Sequence, residues 1–433
     1  MTTMNRAGWP IVQIGDYLKV VAGPSFRSAE FVEGEDHIRL LRGDNIVQGK
    51  LRWDGVKRWH GDVQKRYHLE ENDVVIAMDR PWIEAGLKWA WIQQKDLPAY
   101  LVQRVARLRA TEGLDQKFLR YVIASPDFTA YIKPIVTGAT VPHISGGQIE
   151  SHRFPIPPLP TQRKIAAILS AYDDLIENNT RRVRVLEDMA RALYREWFVE
   201  YRYPGHEQDE FVEDEQGRRP EGWEWLAIKD VAPVVTRGVA PKYTDDSDDL
   251  VINQKCIRDQ RLNLIPARRH SSKVPPIKVI RFGDVLINST GVGTLGRVAQ
   301  VYQETENLTV DTHVTIVRAD PTKMDLDYFG LVLMGLQSEF EAAGVGSTGQ
   351  TELGRERIGM TALLVPPLQL QADFGMRVQP MRRLVEQLLL RNANLRRTRD
   401  LLLPRLVSGE LDVSGLDIRG AAEELVAEAE AVA

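Results

Sequence analysis

The sequence predicts an α+β chain: two mixed α/β domains separated by two long helices that form an antiparallel coiled coil, the whole arranged as a pseudo-twofold internal repeat. Three observations predict it. Motifs recur in order about 210 residues apart, short β-branched segments precede a Pro-Pro-Leu in each copy, and an apolar heptad stripe follows each Pro-Pro-Leu.

The repeat is the firmest of the three. Gly8-Trp9 recurs as Gly222-Trp223, and Ile14-Gly15-Asp16 as Ile228-Lys229-Asp230, both 214 positions on. The segment Leu69–Ile76, centred on Asp73, matches Ile280–Ile287, centred on Asp284, 211 on. Thr137-Gly138-Ala139-Thr140 matches Thr348-Gly349-Gln350-Thr351 at the same offset. Ile156-Pro157-Pro158-Leu159 with Gln162 matches Val365-Pro366-Pro367-Leu368 with Gln371, 209 on. Chance supplies one or two such coincidences, not an ordered set, so the chain is read as a duplicated unit.

Before each Pro-Pro-Leu, Asp73–Met78, Leu101–Leu108 and Asp284–Asn288 are predicted strands, broken by Gly, Pro and Asp turns. After it come the helices. From Ile165 the heptad positions are Ile165, Tyr172, Asn179, Leu186 and Leu193, interleaved with Leu169, Ile176, Val183, Ala190 and Trp197. The second stripe is Phe374, Met381, Leu388, Leu395 and Leu402, interleaved with Val378, Val385, Asn392, Arg399 and Leu406. One such stripe equally suits packing on a neighbouring domain; two matched stripes favour mutual pairing, with Asn179 and Asn392 as polar residues that set register. Thr161 is the expected N-cap of the first helix. A helix from Thr161 to Phe198 would run roughly 55–60 Å, which spans on the order of sixteen base pairs.

The boundaries that result are domains at 1–159 and 223–368, helices at 160–203 and 369–410, an exposed acidic linker at 204–222 and a tail at 411–433. A chain of 433 residues suits several domains. No apolar run approaches the length of a membrane span, and residues 1–10 lack a signal-peptide layout. Cys256 is the only cysteine, which excludes an intrachain disulfide and a thiolate metal cluster. A cytoplasmic protein without membrane contact is expected.

Net charge is −4, so nucleic acid is not coated indiscriminately, but the positive charge is gathered. Arg39, Arg42, Lys50, Arg52, Lys57, Arg58, Lys65 and Arg66 lie in one window of the first domain, with Trp53, Trp59 and Tyr67 interleaved. Lys255, Arg258, Arg261, Arg268, Arg269, Lys273, Lys278 and Arg281 lie in the equivalent window of the second. A lone charge run is usually a solvated face. Two at matched positions point to double-stranded DNA, through phosphates and guanine edges. Thr137, Thr140, Thr348 and Thr351 sit in Gly-containing loops that could approach phosphate, or serve simply as turns. The loops Met78–Trp91 and Asn288–Gly296 follow matched strands yet differ in sequence, as readers of different half-sites would and as unconstrained loops also do.

Catalytic and metal motifs are missing together. Gly291-Val292-Gly293-Thr294-Leu295-Gly296 has dinucleotide-loop spacing, but the next residues alternate like a strand, so a hairpin turn is expected. No phosphate-binding GxxxxGK[ST] loop, zinc-protease spacing or methyltransferase Asp/Asn-Pro-Pro-aromatic element exists. Neither a catalytic residue nor a metal ligand is therefore assigned. An enzyme class, a single-chain DNA methyltransferase or nuclease with fused recognition domains, is the alternative, as is a coiled-coil protein scaffold.

The segment Ile156–Leu169, then Asp173–Asn179, then Met189–Phe198, resembles the central conserved region of type I restriction-modification specificity subunits. Leu395–Leu411, with Pro404 and Gly409, resembles their C-terminal conserved region. The resemblance implies that 1–159 and 223–368 are target recognition domains, each reading half of a bipartite, asymmetric site. It implies helices that act as spacer and dock two methylation subunits, with restriction subunits joining through these. It implies no cofactor on this chain: S-adenosylmethionine, ATP and Mg²⁺ belong to the partner subunits.

Overall fold

A computed structural model of the chain describes residues 3–83, 86–136, 142–215, 217–303, 306–344 and 352–417. The chain divides into two compact units, one of residues 1–177 with 392–433, the other of residues 178–391. Each unit therefore takes part of both long helices.

The first unit holds strands β1 (Leu18–Ala22), β2 (Ile38–Leu41), β3 (Lys57–Trp59), β4 (Val74–Ala77), β5 (Trp89–Trp91), β6 (Ala99–Leu101) and β7 (Val105–Ala110), then helix α1 (Gln116–Ala124). An antiparallel sheet runs in the order β5-β4-β7-β1, and a smaller one in the order β6-β2-β3, with β6 parallel to β2. The predicted strand over Leu101–Leu108 is two strands, because the chain turns between them at Arg104, φ 65°. Helix α2 (Leu159–Phe198) leads into the second unit.

The second unit repeats the plan. Its strands are β8 (Val234–Arg237), β9 (Leu250–Ile252), β10 (Arg268–Arg269), β11 (Val285–Asn288), β12 (Val298–Gln300), β13 (Leu308–Val310) and β14 (Val314–Arg318). Helices α3 (Leu326–Gly335) and α4 (Leu368–Val407) follow. Sheet orders are β12-β11-β14-β8 and β13-β9-β10, strand for strand those of the first unit.

The side-chain period of two explains why β4 and β11 are apolar throughout. Val74 and Ile76 join the core that α1 and α2 cover, whereas Val75 and Ala77 face a second core shared with Leu41 and Leu101 of the smaller sheet. Val285 and Ile287 against Leu286 divide in the same way. Each fully buried Val or Ile contributes about 1.5–3 kcal/mol. The smaller sheet, with the basic windows, thus lies on the side of the main sheet away from the helices.

Matched polar anchors fix each plan. Asp73 and Asp284, almost wholly buried, accept the amides of Glu70 and Arg281 at 2.8 Å and the guanidinium groups of Arg109 and Arg318. The Gln162 and Gln371 side chains tie the helix starts to the caps of α1 and α3. Gly375 is required where α4 passes α3: a Cβ there would lie 2.6 Å from a carboxylate oxygen of Asp325.

Thr161 is not the cap of α2. The helix begins at Leu159, with the amides of Thr161 and Gln162 both on the Pro158 carbonyl, because Pro160 already holds φ at a helical value in the first turn. Helix α4 continues through Pro380 and Pro404. The seam residues lie inside: Ile165, Leu169, Ile176, Phe374 and Leu388 are buried, and Tyr172, Leu186, Leu193, Met381, Leu395 and Leu402 half-buried. In the first unit Ile165 and Leu169 share a core with Leu403 and Leu406, and Asn392 Nδ2 donates to the Ile176 carbonyl at 3.3 Å. In the second, Val183 packs on Val385 and Leu388, and the Trp197 and Phe374 rings stand 5.8 Å apart. Within both units the helices run antiparallel. Arg399, a seam position by spacing, instead donates to Asp173 at 2.7 Å, since a charge there needs a partner. The segment 204–222 is more than an exposed connection: Phe211–Asp214 pairs with Gly217–Pro220 as a hairpin, and Tyr203 stacks on Trp223.

Candidate nucleic-acid interface

The basic windows converge on equivalent edge strands. Lys57-Arg58 of β3 and Arg268-Arg269 of β10 stand 211 positions apart, and each pair edges its three-stranded sheet. Cations on an edge also discourage strand pairing with other chains, so location alone does not make a binding face. Their surroundings differ. Lys57 is exposed, whereas the Arg58 guanidinium donates to the carbonyls of Glu35 and His37 and helps hold the preceding turn. Arg268 lies 3.4 Å above the Tyr243 ring. Arg269 pairs with Asp248 at 3.2 Å, an acid from a loop outside the sequence window.

Lys50, Lys65, Arg66, Lys255 and Lys273 are exposed, with Arg66 stacked over Tyr67. Arg42, Arg52 and Arg258 have short-range acidic neighbours in Asp44, Asp54 and Asp259. Two more are engaged within the second unit. Arg261 turns to α2 and binds Glu187 through two bonds, the Nε contact at 2.7 Å, because burial against the helix makes a carboxylate partner necessary. Lys278 donates to the Gly238 carbonyl at 2.7 Å. Thr137, Thr140, Thr348 and Thr351 lie outside the described residues.

The divergent loops join the basic windows in both units. In the first, the amide of Gly49 donates to the Trp89 carbonyl at 2.8 Å, and Gln48 Nε2 to that of Gly86 at 3.3 Å. In the second, Asn288 Nδ2 bridges the carbonyls of Gln254 and Thr294, both at 3.0 Å, and Gly291–Gly296 closes the β11–β12 hairpin. At the base of each loop lies a node that sequence reading missed. Asp79 binds Arg104 and, at 2.7 Å, His143. Thr290 binds His313 Nδ1 at 2.7 Å. The isolated bridges Asp79–His143 and Thr290–Glu352 occupy equivalent places. The 211 offset carried two positions past β4 and β11 aligns Asp79 with Thr290, although His143 and Glu352 stand 209 apart. Partial burial opposes ionisation of Asp79, but hydrogen bonds from His143 and Arg104 hold its carboxyl below the usual range. Burial pulls the nearby Lys88 ammonium below its ordinary value.

Each unit thus presents a basic edge, a loop of its own sequence and a polar node where the chain leaves the central strand β4 or β11. Lysine and arginine side chains are the usual partners of phosphate, and side chains that reach base edges carry sequence information. Among the described residues no three His, Cys, Asp or Glu side chains form a metal-binding group, and no helix is long and apolar enough to cross a membrane.

Comparison with known proteins points the same way. Residues 7–188 match the model of the type I restriction modification DNA specificity domain. The specificity subunit of the type I restriction enzyme EcoAI from Escherichia coli is 36% identical over 174 residues, 39% of this chain and 28% of that one. The chain therefore spans well under two thirds of that relative. The HindI specificity subunit of Haemophilus influenzae is 23% identical over 476 aligned positions, 93% of this chain and 99% of that one. The crystal structure of a type I restriction-modification S subunit from M. genitalium superposes with a TM-score of 0.57 at 15% identity, covering 96% of this chain and 99% of that one, a likeness of fold.

Proposed function

We propose, from the premise that the chain belongs to the family of type I restriction-modification specificity subunits, that it is the DNA-reading component of such a complex. One observation carries this: the same basic edge, loop and node occur in both units with different side chains. Equal scaffolds suit a duplex backbone that is chemically uniform, and unequal side chains suit two different half-sites. Each unit reads one half of a bipartite, asymmetric site. The paired helices dock two methylation subunits, through which restriction subunits attach. The chain itself is non-catalytic and takes no cofactor; S-adenosylmethionine, ATP and Mg²⁺ serve the partners, in a cytoplasmic complex.

The test is co-expression with the cognate methylation subunits, followed by methylation-aware sequencing of host DNA. A two-part motif with an unread gap is expected, and replacing residues 1–155 by another member's domain changes one half only. Methylation without sequence preference, or a change in both halves, overturns the reading.

A further inference from the structure

We propose that Arg80 reads a guanine edge in the half-site of the first unit, an assignment that rests on the DNA-reading role above. Arg80 follows Asp79 just beyond β4, and the repeat aligns it with Gly291, 211 positions on, just beyond β11. Both residues adopt the left-handed backbone region, φ 44° at Arg80 and 107° at Gly291. The second unit builds this turn with the residue that tolerates it. The first keeps a long cationic side chain there at a steric cost.

The turn is held by other groups. The Arg80 amide donates to the Pro142 carbonyl at 2.8 Å, and the Asp79 carboxylate is taken by Arg104 and His143. Asp44, the other acid near Lys88, pairs with Arg42 at 3.0 Å. The Arg80 side chain itself is exposed, with no hydrogen bond or ion pair among the described residues. Other arginines of the first unit are committed, as Arg42, Arg58, Arg104 and Arg109 show. A backbone anchored at its root and an uncommitted fork at its tip suit a directed contact.

Guanine is favoured over phosphate by the comparison between units. Both half-sites present the same phosphates, so a phosphate contact of this turn would serve both heads, yet Gly291 supplies no side chain. A group present in one head alone carries sequence information. An arginine fork matches guanine O6 and N7, the two acceptors that a G·C pair shows in the major groove.

The experiment compares wild type, Arg80→Gly and Arg80→Lys, each assembled with the methylation subunits, by methylation-aware sequencing, duplex binding and thermal melting. Arg80→Gly is expected to keep or raise the melting temperature, since glycine relaxes the turn. It should reduce discrimination at a single G·C pair of one half-site by about 5- to 150-fold and leave the other half unchanged. Arg80→Lys, keeping charge but losing the fork, should relax the same pair. An unchanged motif, with binding either unaltered or weakened uniformly across sequences, overturns the assignment while leaving the DNA-reading role intact. A wild-type complex that methylates without sequence preference overturns both.

Discussion

Gln162, fully buried in the first turn of α2, accepts a hydrogen bond from the amide of Asp115 at 2.8 Å, and Asp115 is the residue that caps α1. Its Nε2 donates to the carbonyls of Pro157 and Gly113. Gln371 repeats the arrangement with Asp325, which caps α3, and with Pro366 and Lys323. One glutamine per copy thereby sets where its helix leaves its head.

Gln162→Ala and Gln371→Ala each strand a buried amide and carbonyl oxygens. Each is expected to lower stability by about 1–3 kcal/mol, read as a fall in the midpoint of denaturant unfolding. No shift in either variant would remove the glutamines from the fold's essential contacts.

The two buried carboxylates should respond unequally. Asp284→Asn leaves Arg318 as a largely buried cation and is expected to cost about 3–5 kcal/mol. Asp73→Asn should cost less, because Arg109 is more exposed and also binds Glu70 at 2.9 Å. Thermal melting of both variants checks the order.

Leu388 and Leu390 lie on opposite faces of α4, the first buried in the seam, the second exposed. Leu388→Ala is expected to cost about 2–5 kcal/mol, and Leu390→Ala about 0.5 kcal/mol or less. Equal effects would contradict the pairing of α4 with α2 seen within the second unit.

His152 is enclosed by Phe128, Tyr131 and Phe154, and burial lowers its imidazole to about 4 from 6.5. The folded chain therefore resists protonation while the unfolded chain accepts it. The stability from the neutral ring is complete above pH 6.5 and is lost as pH falls towards 4, a loss of about 3 kcal/mol in all. His152→Leu should flatten that stretch of the stability–pH curve, and an unchanged slope would assign it elsewhere.

Arg268→Glu with Arg269→Glu should weaken duplex binding by the assembled complex and make the fall of affinity with salt less steep. Lys278→Glu, altering a side chain tied to Gly238, should change the salt slope less. Matching slopes for the two variants would take β10 out of the interface.

Much of the architecture was legible because it is written in local spacing. Heptad positions such as Ile165 and Leu388 must lie on one helical face, and the all-apolar β4 must be covered on both sides. Asp73, Asp284, Gln162 and Gln371 were visible as repeated letters, although their hydrogen bonds were not. The start of α2 was misplaced by three residues, with the cap at Pro158 rather than Thr161, since several residues there suit a helix start and only the bonds to the Pro158 carbonyl decide among them.

The sequence by itself determined that the chain is duplicated, that each copy ends in a long amphipathic helix, and that positive charge gathers at matched places. Only the tertiary structure decided which of those charges are available. The partner of Arg261 is Glu187, 74 residues earlier, and Arg58 spends its donors on carbonyls of a turn before β2. It also showed that Arg80 occupies a turn for which the other copy uses glycine. Spacing along a chain fixes what shares a helix face or strand edge, but a cation's freedom depends on acceptors that folding brings from distant segments.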